Sequence, residues 1–144
     1  MSYTNPKFIE THASATVRKK LKGIDINDPY YLNSNFYIFK PENGLFFLKD
    51  VFVINEQVSD VSPDDGPYSV SFDLWNNEQM VTNFWLGSTD IAASAGIDYR
   101  WSFFITKDMP LIGQIPSPPS GYPPQNVPKT WIVSFVVVLE RLSD

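Results

Sequence analysis

The chain of 144 residues has no cysteine and only one histidine, His12. The lack of cysteine excludes disulfides, thiol nucleophiles and cysteine-ligated metals. A single histidine excludes a multi-histidine metal centre, and no Gly-x-Ser-x-Gly sequence supports a Ser-His-Asp hydrolase. The seven glycines are scattered and form no phosphate-binding loop. We therefore expect no enzyme; a carboxylate-dependent enzyme, drawing on the 16 Asp and Glu residues, ranks third among the functions considered.

Basic residues are also scarce, with 11 Lys and Arg and a formal net charge of −5. Binding of nucleic acid requires a basic field, so no nucleic-acid partner is expected. The one basic run is Arg18-Lys19-Lys20-Leu21-Lys22. It is interpreted as the solvated face of an edge strand, where lysines discourage pairing with other chains. The alternative is a patch for phosphate or anionic lipid.

Long apolar segments are absent. The longest, Trp131–Leu139, is interrupted by Ser134 and is shorter than the roughly 20 residues that a membrane-spanning helix requires. The first residues lack the apolar core of a signal peptide. The expectation is a soluble protein that is cytoplasmic, or exported without a visible signal peptide, and has no transmembrane segment.

The clearest structural signal is the alternation in Tyr68–Trp75 (Tyr-Ser-Val-Ser-Phe-Asp-Leu-Trp). Its large apolar residues occupy one parity and its small polar residues the other, which is typical of a strand with one buried face. Trp75 breaks the pattern and places an aromatic ring among the polar residues.

Similar patterns predict further strands at Ala13–Leu21, Asn35–Lys40, Leu45–Ile54, Gln79–Leu86, Asp98–Thr106 and Thr130–Leu139. The Asn43-Gly44 dipeptide predicts that the second and third of these form a hairpin. Asp90–Gly96 is the one helix-like stretch. Residues 1–11 are interpreted as a loose arm, and residues 107–129, which hold most of the 12 prolines, as a long Pro-rich loop before the last strand.

About seven short strands with almost no helix predict an all-β fold. The most specific prediction is a single domain over residues 1–144, an antiparallel β-sandwich of Ig-like or jelly-roll-like type. The last strand, apolar on both faces, is expected at the centre of a sheet or under a partner.

Two tryptophans carry the functional hypothesis. Trp75 and Trp85 lie on strand parities otherwise occupied by Ser, Asp and Asn, so we expect both on a surface, close to one another. Aromatic faces beside polar groups suit sugar rings, and the candidate polar partners are Asn76, Asn77, Asn83 and Arg100. The alternative is that both rings pack in a second layer or under the Pro-rich loop.

A second candidate site is the oxygen-rich loop that holds Asp25, Asn27 and Asp28. Calcium takes six to eight oxygen ligands from such loops, and alternate side chains here are spaced to converge on one ion. Asp and Asn also occupy turns for local hydrogen-bonding reasons alone. Apart from a possible calcium ion, no cofactor is expected.

The Pro-rich stretch Ile115–Pro124 allows three interpretations: a polyproline ligand, an arm laid on a neighbouring subunit, or a plain connection. Separately, Phe84-Trp85, Gly96 and Tyr99–Phe103 are similar to the later strands of bacterial inclusion-body proteins. The Trp-Asp-Pro that closes those proteins is absent here, and the resemblance assigns no residue a role.

Together these features predict a non-enzymatic, lectin-like module that binds carbohydrate through surface aromatics, as a homo-oligomer. The alternative is a structural, self-assembling protein that makes oligomeric or inclusion-type contacts.

Overall fold

A computed structural model of the chain describes residues 16–20, 23–62, 64–97 and 102–143. His12, Arg100 and the predicted arm of residues 1–11 lie outside these ranges. The described residues form ten strands and one turn of 3₁₀ helix at Pro124–Asn126, with no α-helix. The strands are β1 (Thr16–Lys20), β2 (Ile24–Asp25), β3 (Phe36–Phe39), β4 (Leu45–Val58), β5 (Ser69–Asn76), β6 (Gln79–Gly87), β7 (Ala92–Ser94), β8 (Phe104–Ile105), β9 (Leu111–Gln114) and β10 (Trp131–Ser143).

The strands form two sheets, and within each sheet all paired strands run antiparallel. In the larger sheet β10 lies between β4 on one side and β1 and β2 on the other, while β7 and β8 pair with the far edge of β4. The smaller sheet has the order β3-β9-β5-β6. The predicted all-β sandwich is therefore confirmed, with ten strands in the described residues instead of about seven.

The core lies between the two sheets. Phe135 of β10 packs edge-to-face against Phe72 of β5, with ring centroids 5.3 Å apart, and its ring lies 5.8 Å from that of Phe36. In β5 the residues Val70, Phe72 and Leu74 are at most 1% exposed, as the alternation predicts. The central position of β10 is also confirmed, which explains why its sequence is apolar on both faces.

The predicted hairpin over residues 35–54 is wrong. Its two strands form, but β3 pairs with β9 in the smaller sheet and β4 with β10 in the larger one. Gly44, with φ +95°, still makes the turn. That turn carries the chain from one sheet to the other, so Phe39 and Phe46 face each other across the core with ring centroids 5.1 Å apart.

The helix-like interpretation of Asp90–Gly96 is also wrong, because Ala92–Ser94 forms β7 and pairs with Phe52–Ile54 of β4. A helix of so few residues is not stable without packing, whereas the edge of β4 supplies backbone partners directly. Gly96 adopts φ +63°, which suits its predicted role of ending an element.

Residues 107–129 are not loop throughout, since they contain β9. This strand lies between β3 and β5 and is central to the smaller sheet. Its sequence falls between Pro110 and Pro116, so each of its residues keeps the backbone N–H that a sheet ladder requires. Of the predicted strand Asp98–Thr106, the described part contributes β8, with Phe103 and Ile105 buried.

The part of the basic run that the structure describes, Arg18–Lys20, lies as predicted on an edge strand. Among the described strands β1 pairs with β10 only, and its Arg18, Lys19 and Lys20 are exposed. Lys20 Nζ lies 2.6 Å from Glu56 Oε1. The hydrogen bond from Lys20, followed by one from Ser134, holds the pKa of the Glu56 carboxyl below its ordinary value. Among the described residues there is no helix long and apolar enough to cross a bilayer.

Candidate ligand-binding surface

The side chains of the smaller sheet that point away from the core form a surface that we call the platform. Its first part is an apolar row that crosses all four strands at one level. Trp75 of β5 pairs with Ile112 of β9 and with Met80 of β6, and Ile112 pairs with Tyr37 of β3. Tyr37 is 54% and Met80 42% exposed. The four strands thus present a contiguous apolar row to solvent.

The second part is a polar row, which lies two residues away along β5 and β9 and three residues away along β6, where the register shifts. Asp73 of β5 pairs with Gln114 of β9 and with Asn83 of β6. Asn83 Nδ2 donates a hydrogen bond of 2.5 Å to Asp73 Oδ1, and Gln114 Nε2 donates to Asn35 Oδ1 just before β3. The row therefore consists of two hydrogen-bonded pairs, Asp73–Asn83 and Gln114–Asn35, that lie side by side on the sheet.

Trp85 lies on the other side of the polar row. It pairs with Ser71 of β5 and is 57% exposed. Ser71 and Trp75 are four residues apart on one strand, so the two tryptophans are separated by roughly 13 Å along the sheet. They share a face, as predicted, but are not close neighbours, because the Asp73–Asn83 pair lies between their levels.

The two indole rings are held differently. Trp75 is half-buried, and its Nε1–H is buried and has no hydrogen-bond partner in the part of the chain that the structure describes. Because that N–H is buried, Trp75 offers a ligand the exposed part of its aromatic ring rather than a donor. Trp85 is the most exposed aromatic of the platform.

Two of the other predicted ligand residues lie outside the two rows of the platform. Asn76 has the same parity as Leu74, is 3% exposed, and donates from Nδ2 to the Met109 carbonyl at 3.0 Å, so its amide stabilises the fold. Asn77 is exposed in the β5–β6 turn with φ +57°, a conformation that Asn tolerates better than most residues. Arg100 lies outside the described residues.

In the candidate calcium loop, the side chains of Asp25, Asn27 and Asp28 all make hydrogen bonds to the backbone. Asp25 Oδ1 accepts from the Asn27 backbone N–H at 3.0 Å, and Asp28 Oδ1 accepts from that of Tyr30 at 2.9 Å. The Asn27 amide donates to the carbonyls of Pro128 and Lys129. Within the part of the chain that the structure describes, no three His, Cys, Asp or Glu side chains are grouped as a metal ion would need. Calcium binding by these residues stays a prediction.

The Pro-rich stretch is attached to its own domain. Ser120 makes two backbone hydrogen bonds of 2.9 Å with Ser69 at the start of β5. The Tyr68 hydroxyl donates to the Pro123 carbonyl at 2.8 Å, and burial, with a contribution from the charge of Asp65, raises the pKa of that phenol. In this conformation the stretch connects β9 to β10 along the sheet instead of projecting as an arm.

Four residues of this surface are not among the ligand residues predicted from the sequence: Tyr37, Asp73, Ile112 and Gln114. Tyr37 and Asp73 lie on predicted strands, whereas Ile112 and Gln114 lie on β9, in the segment predicted to be a loop. No family model, no curated protein and no solved structure matches this chain.

Proposed function

We propose that the protein is a non-enzymatic module that binds glycans on the platform. One observation carries the proposal: the antiparallel register of β3-β9-β5-β6 aligns an apolar row, a polar row and Trp85 on one solvent-facing sheet surface. The register fixes the spacing of these groups before any ligand arrives, which lowers the entropy cost of binding.

The chemistry of the two rows suits a sugar. A pyranose ring has an apolar face of C–H groups, which packs on the negative face of an aromatic ring, and a rim of hydroxyls. Trp85 supplies an exposed ring, and the adjacent Asn83 and Asp73 supply a donor-acceptor pair for hydroxyls. Amides and carboxylates both accept hydroxyl protons, and the amide nitrogens donate to hydroxyl oxygens.

The test is a printed array of neutral and acidic glycans of one to six sugar units, probed with the purified chain. We expect a subset of glycans to bind, and Trp85→Ala to weaken that binding at least tenfold, a loss of about 1.4 kcal/mol. The matched control is Tyr122→Ala, which removes another exposed aromatic, 78% exposed, from the Pro-rich stretch. Absence of binding by the natural chain, or equal binding by Trp85→Ala, would contradict the proposal.

A second candidate function is self-assembly through the outer face of the larger sheet. The specific observation is that two apolar groups are partly exposed on that face: Phe47 with Phe104, whose ring centroids are 5.8 Å apart, and Phe52 beside Val136. The Asp50–Val138 pair lies between them. Exposed apolar side chains on a sheet surface, flanked by polar residues, are typical of protein contacts. A second copy of the chain is the occupant that we propose.

Sedimentation velocity over a range of concentrations tests the second function. We expect dimers or larger species that Phe52→Lys removes, because a lysine charge at the centre of an apolar contact must be desolvated. Trp85→Ala is the control and should assemble as the natural chain does. A monomer at every concentration would exclude this function.

A further inference from the structure

An open cleft of about 600 Å³ lies beside the platform, where β2 of one sheet approaches β3 of the other. Three tyrosines, Tyr30, Tyr31 and Tyr37, line it together with Asn35 and Phe36. Tyr30 is 72% exposed and Tyr37 54% exposed. The cleft therefore combines aromatic faces with phenol and amide groups, a composition typical of sites for small polar ligands.

The aromatic rings of the cleft are fixed by one another. Tyr31 packs edge-to-face with Tyr30 at 5.1 Å and with Phe36 at 5.7 Å. Phe36 in turn contacts Phe135 of the core. The ammonium group of Lys40 lies 4.6 Å from the centre of the Tyr37 ring, a cation–π contact. A chain of contacts thus links the exposed Tyr30 ring to the core, so this wall of the cleft is largely preformed.

Asn35 belongs to both the platform and the cleft. Its Oδ1 accepts a hydrogen bond from Gln114 at the end of the polar row, and the residue also lines the cleft. The polar row crosses four strands, so its ends at Asn83 and Asn35 are separated by roughly 14 Å. That span exceeds a single sugar ring.

We propose that the cleft is a second subsite, in which Tyr30, Tyr31 and Tyr37 hold one end of an oligosaccharide that runs across the strands along the polar row. This inference rests on the proposed glycan-binding function and adds to it the direction and the minimum length of the ligand. A ligand that occupies both subsites needs several sugar units, whereas a monosaccharide occupies only one.

The test uses Tyr30→Ala and isothermal titration with a length series, from mono- to hexasaccharide, of the glycan that binds most strongly on the array. We expect Tyr30→Ala to weaken hexasaccharide binding about tenfold, the effect of losing one aromatic contact. Tyr122→Ala is the matched control, because Tyr122 is 78% exposed and does not line the cleft. Tyr30→Phe, which keeps the ring, should retain most of the affinity.

A second readout locates the ligand directly. In NMR spectra of the natural chain, we expect the hexasaccharide to shift the side-chain amide signals of Asn35 and Gln114 and the indole N–H signal of Trp85. If Trp85→Ala loses affinity while Tyr30→Ala binds the hexasaccharide as the natural chain does, the subsite in the cleft is excluded and glycan binding on the platform is supported. If both variants bind normally, or the natural chain binds no glycan, both the proposed function and the subsite are excluded.

Discussion

Replacing Trp131 by alanine is expected to lower the free energy of unfolding by about 3–5 kcal/mol, the cost of deleting a large aromatic from a core. Trp131 begins β10 and is 0% exposed. Its Nε1–H donates a hydrogen bond of 2.7 Å to Asn55 Oδ1 of β4. The substitution therefore leaves a cavity and also removes the donor of a partly buried acceptor.

Besides filling space in the core, Trp131 orients the side-chain amide of Asn55 through this hydrogen bond. The Nδ2 group of Asn55 donates to the carbonyls of Gly87, at 2.9 Å, and Asp90, at 2.6 Å. Asn55 thus joins β4 of the larger sheet to the end of β6 in the smaller one, and Trp131 orients its amide. Loss of the tryptophan weakens a contact between the sheets as well as the core.

Urea denaturation followed by circular dichroism measures this effect, as the shift in the unfolding midpoint at constant slope. Trp85→Ala is the matched control, since an exposed tryptophan on the platform should change stability by only about 0.5 kcal/mol. Trp131→Phe separates packing from hydrogen bonding: we expect it to cost about 1–3 kcal/mol, mainly from the unpaired Asn55 oxygen. A Trp131→Ala protein as stable as the natural chain would mean that the core is not built as described.

Replacing Gly121 by alanine is expected to destabilise the protein by about 1–3 kcal/mol, the usual cost of overpacking. A Cβ atom added to Gly121 would lie 2.2 Å from Cδ1 of Tyr68, far inside van der Waals contact. The Tyr68 ring cannot move away easily, because it is 0% exposed and its hydroxyl is hydrogen-bonded to the Pro123 carbonyl. The Pro-rich stretch would have to lift from the start of β5.

Gly96→Ala is the control for this substitution. Gly96 has φ +63°, but no atom of the described residues lies within 4 Å of the position that a Cβ would occupy, so its substitution should cost only about 1–2 kcal/mol of backbone strain. Hydrogen exchange distinguishes the two variants further. Gly121→Ala should expose the backbone amides of Ser69 and Ser120, which are paired to each other, whereas Gly96→Ala should leave them protected. Unchanged protection of both amides in Gly121→Ala would contradict the close packing of this stretch.

The sequence predicts those features of the fold that depend on neighbouring residues, and it does not predict those that depend on residues far apart in the chain. The alternation in residues 68–75 correctly predicted that Val70, Phe72 and Leu74 are buried, because strand parity is a property of the chain itself. Ser71, on the parity expected to face water, is also buried at 4% exposed. The apolar character of β10 correctly predicted a central strand. The hairpin prediction for β3 and β4 failed, because the turn at Gly44 fixes a change of direction but not which sheet each strand joins.

In the candidate site, too, features within one strand were predicted and contacts between strands were not. Strand parity predicted that Trp85 and Asn83 share one face of β6, and the structure agrees. That Trp75 of β5 lies on the same face depends on the register between β5 and β6. Their separation, and the neighbours Ile112 and Gln114, depend on β9, which pairs with a strand some 40 residues earlier in the chain. Asn76 was predicted to be an exposed ligand residue, because it is polar and stands beside a turn. It is instead buried, and its amide donates a hydrogen bond to the carbonyl of Met109, a residue far away in the sequence.

The amino-acid pattern was enough to predict an all-β protein and the parity of its main strands, because parity follows from the backbone of each strand. The pairing of those strands and their register could not be predicted from the same pattern. Register is selected by burial and by ladder contacts between segments far apart in the chain, and it places the aromatic and polar groups together on the platform and in the neighbouring cleft.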